Sequence, residues 1–493
     1  MKYIRLFSMC AIIIFTQNIN LLAQDKLLST KKRKKDLKEL KKIFDAHPDP
    51  YTHISEKDFN KKWKEVESTL EQPQTTLDFY KEIASLVAVL KDGHSSAYLP
   101  SYWMKKQRKK NGAFPYEIHL SNDNQMYIIK KFNDGKIPVG SKILEINGIN
   151  IEQFLAKIDP FISYEKIRFR NTRIDDNIEK YLYLAFGHSD STKIKYFTSD
   201  TLEITTRNMN FKKWKKFQKN DREEREIKIS IGEPYAYKKI AEGVGVISIY
   251  SFSTPNYKGY KLFLLKTFKT IKNDNIHSLI IDIRGNYGGW PKVASSLFHY
   301  ISDSYFKTMA RSSMKVSYAY RNNLTNRYPS LRGARPFIPQ RRHYLDIAAI
   351  LGDPYDTFVN EETFFNEKPI TKKFEFTGKT YLLSNRDSYS AASSFAATFQ
   401  CYQMGLIIGE ETGGTKIFRA NAIHETLTKS GIRVGMSTTK LFNTCFNKEF
   451  EGIKPNIEYA PDILQIISGT DTQLIFAQRI IQEIQKLEKE AKN

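Results

Sequence analysis

Leu279-Ile-Ile-Asp-Ile-Arg-Gly-Asn-Tyr-Gly-Gly289 reads as a strand that carries Asp282 and then runs into a paired glycine. A short apolar run bounded by a glycine turn fits a strand covered on both faces. Two glycines at its end let backbone N–H groups approach an anion with no Cβ in the way. Working outward, Val244 to Tyr250 predicts another apolar strand and Tyr257 to Ile271 an amphipathic helix. Downstream come a helix over 291–302, a strand over Thr380 to Leu383, a helix over 391–403 and a strand over Leu406 to Ile408. Strand, crossover helix and strand in series imply a mostly parallel sheet covered by helices, an α/β fold. A long insertion rich in Arg, Tyr and Pro, residues 303–375, interrupts the series.

Two further loops sit at the ends of these strands. Ser388-Tyr-Ser390-Ala-Ala-Ser393 lies between a strand and a helix. A serine there can simply cap the helix. It can also be a nucleophile whose oxyanion is held by its neighbour's N–H at the positive helix end. Gly409-Glu-Glu-Thr-Gly-Gly414 follows the next strand as another glycine-rich loop.

Taken in order, LIIDIRGNYGG (279–289), SYSAASSFA (388–396) and LIIGEETGGT (406–415) resemble the tail-specific, or C-terminal-processing, serine peptidases, the superfamily that includes the tricorn protease core. The likeness is strongest from Gly243 to near Leu464. It continues weakly upstream through His47-Pro-Asp-Pro-Tyr51, Asp92-Gly-His94 and the PDZ-like Ile137-Pro-Val-Gly-Ser-Lys-Ile-Leu-Glu-Ile-Asn-Gly-Ile149. It implies a crotonase-like catalytic core, with Ser390 as nucleophile. The oxyanion donors would be the N–H of Ala391 and one from Gly288 or Gly289.

For the base, the resemblance offers two branches. One uses a lysine 25 residues after the serine, which falls on Thr415, with Lys416 next to it. The tricorn-like branch uses an upstream histidine, and His94 stands in that place. A histidine base predicts activity rising through a pKa near ~6.5. That branch also has a serine before the histidine, linking it to a distant glutamate. Here Gly93 fills the serine position, and the glutamate falls on Glu449, with Glu451 as substitute and Asp92 or Ser95 as other relays. Ser393 and Asn456 stand where many members carry acidic residues, and His424 is a spare histidine.

The rest of the chain sets the context. Lys2 and Arg5 precede an apolar run of about 11 residues, Leu6 to Thr16, and the segment ends Leu22-Ala23-Gln24. This is the pattern of a cleaved export signal, 1–24, and falls short of the ~20 residues that span a bilayer. Helices are predicted at roughly 56–72 and 75–91 within an N-terminal helical region, 25–110. A PDZ-like module and a basic connecting region fill 111–235, where helix-like stretches lie near 176–185 and 211–226. The catalytic domain spans 236–480.

The chain of 493 residues holds three cysteines, Cys10, Cys401 and Cys445, without metal-ligand spacing. A Cys401–Cys445 bridge and two free thiols are both open. Net charge is +23, with clusters at 31–42, 105–110, 212–216 and 341–342. Export turns that charge toward anionic envelope surfaces rather than nucleic acid. The expectation is an exported, periplasmic or envelope-associated serine endopeptidase acting on peptides or proteins, with no metal or organic cofactor. The alternatives are a catalytically silent peptide- or lipid-binding protein on the same fold and an adhesion protein acting through its basic clusters.

Overall fold

The strand of the opening motif lies inside a six-stranded sheet. In spatial order its strands are Ile457–Glu458, Gly405–Gly409, Lys379–Ser384, Ser278–Asp282, Val244–Ile249 and Tyr235–Ala241. All neighbours run parallel except the last pair, which is antiparallel. Alternate side chains enter two apolar layers, as the period of two requires. Ile247, Leu279, Ile281, Leu382 and Ile407 pack under the helices Tyr257–Asn273, Pro291–Ile301 and Ala391–Cys401. Val246, Ile280, Tyr381, Leu383 and Ile408 face Ala477 and Ile481 of the C-terminal helix Thr472–Glu490. Full burial of each such side chain contributes roughly 1.5–3 kcal/mol. The predicted parallel alternation is therefore the observed core, with strand and helix ends within a few residues of expectation.

The computed structural model describes residues 27–132, 135–217, 234–302, 304–328, 350–362, 374–445 and 448–491. The export-signal segment, the 341–342 cluster and much of the insertion lie outside the described residues. Among the described residues, no helix is long and apolar enough to cross a membrane.

N-terminal to the sheet, helices Thr30–Phe44, Glu56–Thr69 and Thr76–Ala88 share one apolar cluster with a separate antiparallel sheet. That sheet orders its strands Tyr116–Leu120, Met126–Lys131, Lys142–Ile146, Ser191–Phe197 and Thr201–Arg207. The helices Ile151–Ile158, Ile167–Asp176 and Ile178–Phe186 cross between its strands. The stretch predicted helical near 176–185 is helical, and 211–217 is the described part of the other.

Two strands pin the N-terminal helices to the C-terminal part of the chain. Ser96–Tyr98 pairs antiparallel with Arg433–Met436, in the register Ser96 to Gly435. Asp36 accepts the N–H groups of Lys429 and Ser430 at 2.8 and 2.7 Å. The segment carrying His94 is thereby fixed to the far end of the chain. Cys401, at the end of its helix, is disulfide-bonded to Cys445, so of the two thiol states left open the bridge is the one formed.

Candidate active site

Ser390 joins the strand Lys379–Ser384 to the helix Ala391–Cys401 with φ +56° and ψ −122°. A non-glycine residue in this sparsely populated region costs roughly 1–3 kcal/mol and persists only where its surroundings over-determine it. They do so here. The hydroxyl of Ser388 accepts from Asn385 N–H and donates to the Ile283 carbonyl at 3.0 Å. Tyr389 N–H donates to the Asn286 carbonyl at 3.0 Å. Ser393, fully buried, donates to the Ser388 carbonyl at 2.9 Å. The Ser393 hydroxyl thus ties down the turn, at the position where the sequence resemblance implied an acidic residue. A strained strand–turn–helix elbow of this kind projects its hydroxyl from the end of a sheet.

The paired-glycine loop lies directly against this turn. A Cβ on Gly288, at φ +101°, would stand 2.7 Å from Ser390 Cβ and 2.8 Å from the Ala391 nitrogen, so only glycine fits. The N–H of Gly288 donates to Asn286 Oδ1 at 2.8 Å and is therefore spent. The N–H groups of Ala391 and Gly289 donate to nothing among the described residues. Of the two glycines weighed from sequence, Gly289 is the one with a donor to offer.

His94 is held beside the turn. Its ring stacks on Tyr389 with centroids 4.8 Å apart and on Phe418 at 5.7 Å. Its Nδ1 lies 3.0 Å from the Tyr389 hydroxyl, which also donates to Glu165, 3.1 Å from both carboxylate oxygens. Its Nε2 is buried without a hydrogen-bond partner among the described residues. Burial pushes the imidazole down to about 4; Asp92 opposes the shift and Arg173 adds to it. The limb near ~6.5 expected of a free imidazole is thereby displaced, because desolvation penalises the charged ring.

Asp92 lies beneath this pair. It accepts His94 N–H at 2.9 Å and the Ser95 hydroxyl at 2.5 Å. Burial would raise its carboxyl, but His47, 3.4 Å away, and His94 outweigh that and hold it below the carboxylate range. Asp92 and Ser95 thus fix the backbone of the loop, and Asp92 Oδ1 stays 3.9 Å from His94 Nδ1.

The remaining candidates go elsewhere. Glu449 pairs with Arg419 at 3.2 Å and with Lys440, in a cluster that also holds Asp49. It is not among the described partners of His94, whose Nδ1 the Tyr389 hydroxyl occupies. Lys416 pairs with Glu451 at 2.9 Å, so the alternative base and the substitute glutamate are engaged with each other. Asn456 exchanges two hydrogen bonds with the backbone of Ile407, both at 2.8 Å, and closes the sheet edge. His424 sits on the strand Ile423–Thr426 against Tyr98.

Sequence reasoning missed Tyr389 and Glu165. Tyr389 stood inside the quoted serine motif, where adjacency to Ser390 was the available signal. Glu165 lies in an irregular stretch with no motif around it.

Residues 243–459 match peptidase family S41. The match covers a little under half of the chain and marks that segment as a serine-type peptidase segment. Over most of its length the chain is similar to the solved structure of mature CPAF complexed with lactacystin. Identity is 15%, covering 94% of this chain and 99% of that one, with a TM-score of 0.61. A second structure, of mature CPAF alone, gives 15% identity over 89% and 94% of the two chains at a TM-score of 0.56. At these identities the likeness speaks for the fold. No curated protein matches the sequence.

Proposed function

We propose that the chain is an exported serine endopeptidase whose nucleophile is Ser390 and whose general base is His94, in the manner of the tricorn-like branch. The observation that carries this reading is the pairing of a strained Ser390 with a histidine whose Nε2 is buried and unpartnered beside the same turn. Nε2 takes the Ser390 proton as Oγ bonds to the scissile carbonyl carbon. The carbonyl oxygen becomes an oxyanion facing the N–H groups of Ala391 and Gly289. His94 returns the proton to the leaving amine as the C–N bond breaks. Water, deprotonated by the same nitrogen, then attacks the acyl carbon and frees Ser390.

Two features support export. The first is the signal-like leader. The second is the Cys401–Cys445 bridge, a covalent feature of oxidising compartments. We read the central sheet and its helices as a crotonase-like core and the antiparallel sheet between 116 and 207 as a PDZ-like module. The basic clusters give weak, salt-screened contact with anionic envelope surfaces.

The test is hydrolysis of a diverse peptide library by wild type, Ser390→Ala, His94→Ala and Lys416→Ala. Ser390→Ala and His94→Ala should lose roughly three or more orders of magnitude, with folding intact and Lys416→Ala active. Turnover that survives in Ser390→Ala, or dies only in Lys416→Ala, contradicts the assignment.

A further inference from the structure

We propose that Tyr389 and Glu165 are positioning residues that decide which nitrogen of His94 carries the proton, so that the charge state of Glu165 switches the base on and off. The inference rests on the reading of His94 as the base. A phenol has one proton to give, and an ionised carboxylate only accepts. With Glu165 ionised, the Tyr389 proton points to the carboxylate, whose two oxygens both lie 3.1 Å away. The hydroxyl oxygen then receives Nδ1–H of His94 across 3.0 Å. The proton is thereby parked on Nδ1 and Nε2 keeps its lone pair. With Glu165 protonated, the carboxyl donates to the hydroxyl and the phenol proton turns to Nδ1. The imidazole proton then sits on Nε2, and the ring offers no base to Ser390.

The surroundings hold this geometry. The Tyr389 ring lies flat on Phe169, with centroids 3.8 Å apart and planes 2° from parallel, and His94 stacks on it. A Cβ at residue 93 would stand 2.2 Å from the Tyr389 hydroxyl and 2.6 Å from Glu165 Oε2. Gly93 is therefore the vacancy that admits the hydroxyl and the carboxylate.

The charged and titratable groups around Glu165 are Asp92, His94, Tyr389 and Arg173. Burial first, then the charge of Asp92, raise the Glu165 carboxyl to about 7, against the Gly93 backbone and Arg173. Burial, with Glu165 and Asp92, holds the Tyr389 phenol well above its ordinary value, so it keeps its proton. His94, at about 4, is already neutral through this range. Raising the pH through neutrality therefore ionises Glu165 and sets the active tautomer, so activity rises with pH there.

The experiment is ¹⁵N-histidine NMR of the full chain, with His94 assigned by the signals lost in His94→Asn, alongside pH–rate profiles. Wild type should show His94 as the Nδ1–H tautomer at about pH 8.5 and a shift toward Nε2–H below about pH 7. Tyr389→Phe keeps the ring stack and should give mixed tautomers at every pH, with kcat down roughly 100-fold and KM within about threefold. Glu165→Gln should lose the step near neutrality. Thermal melts of the variants separate these effects from unfolding. An Nε2–H tautomer in wild type at about pH 8.5, or a tautomer and pH limb unchanged in Tyr389→Phe, overturns the proposal. If the tautomer behaves as stated but no peptide is hydrolysed, the peptidase reading fails while the relay stands. Normal hydrolysis with unchanged tautomers has the opposite meaning.

Discussion

Gly93 occupies the position at which the resembled branch carries a relay serine, and from sequence alone that departure reads as a missing part. In the fold the glycine leaves room that the Tyr389 hydroxyl and Glu165 fill from other directions. Restoring the serine should therefore harm the site. A Cβ in that space has the Tyr389 hydroxyl, Glu165 Oε2 and, at 2.9 Å, Phe169 to displace. Overpacking of this kind costs about 1–3 kcal/mol, and shifting the tyrosine unseats His94. We expect Gly93→Ser to reduce kcat by at least about tenfold with a melting temperature only modestly lowered. Steady-state kinetics and a thermal scan check this; wild-type turnover in Gly93→Ser would mean that the tyrosine does not orient the base.

The helix Ala391–Cys401 begins at the strained serine and ends at a disulfide to Cys445. The sequence separation of 44 means that the bridge closes a sizeable loop around the strands that follow. In the chain-entropy account, closing such a loop stabilises the fold by roughly 4 kcal/mol. Chemical denaturation of Cys401→Ser/Cys445→Ser against the oxidised protein should show a loss of that order, with a steeper slope of unfolding free energy against denaturant because the unbridged unfolded chain is more expanded. Equal midpoints would show that the bridge does not constrain the unfolded chain. This helix and the strands around it were legible in the sequence, because apolar runs broken by glycine and serine turns carry their own period. Ser390, Gly289 and Ala391 were legible with them, since each belongs to a loop at a strand end. The side-chain partners of His94 were not. Tyr389 reads as packing until its hydroxyl is seen between two polar groups, and Glu165 owes its place to tertiary contact alone. Glu449 had the right register in sequence, yet the nearby cations Arg419 and Lys440 claim it.

At the scale of the molecule, the site exists only because distant parts of the chain converge. His94 and Tyr389 are 295 residues apart in sequence and Glu165 and Tyr389 are 224 apart, yet all three side chains meet at one hydroxyl. The strand Ser96–Tyr98, paired with Arg433–Met436, carries the N-terminal contribution to the C-terminal part of the chain. Asp49 and Arg419 add a second tie, with the guanidinium nearly buried. A serine activated by this assembly should be reactive toward an electrophile that needs no substrate recognition, and its reactivity should depend on the histidine from the other end of the chain. The direct measurement is intact-mass and peptide-mapping analysis after exposure to a fluorophosphonate. The account predicts a single adduct on the peptide containing Ser390 in wild type, lost in Ser390→Ala and strongly slowed in His94→Ala with both variants folded. Wild-type protein left unlabelled, an adduct mapped to another residue, or undiminished labelling in His94→Ala would contradict it.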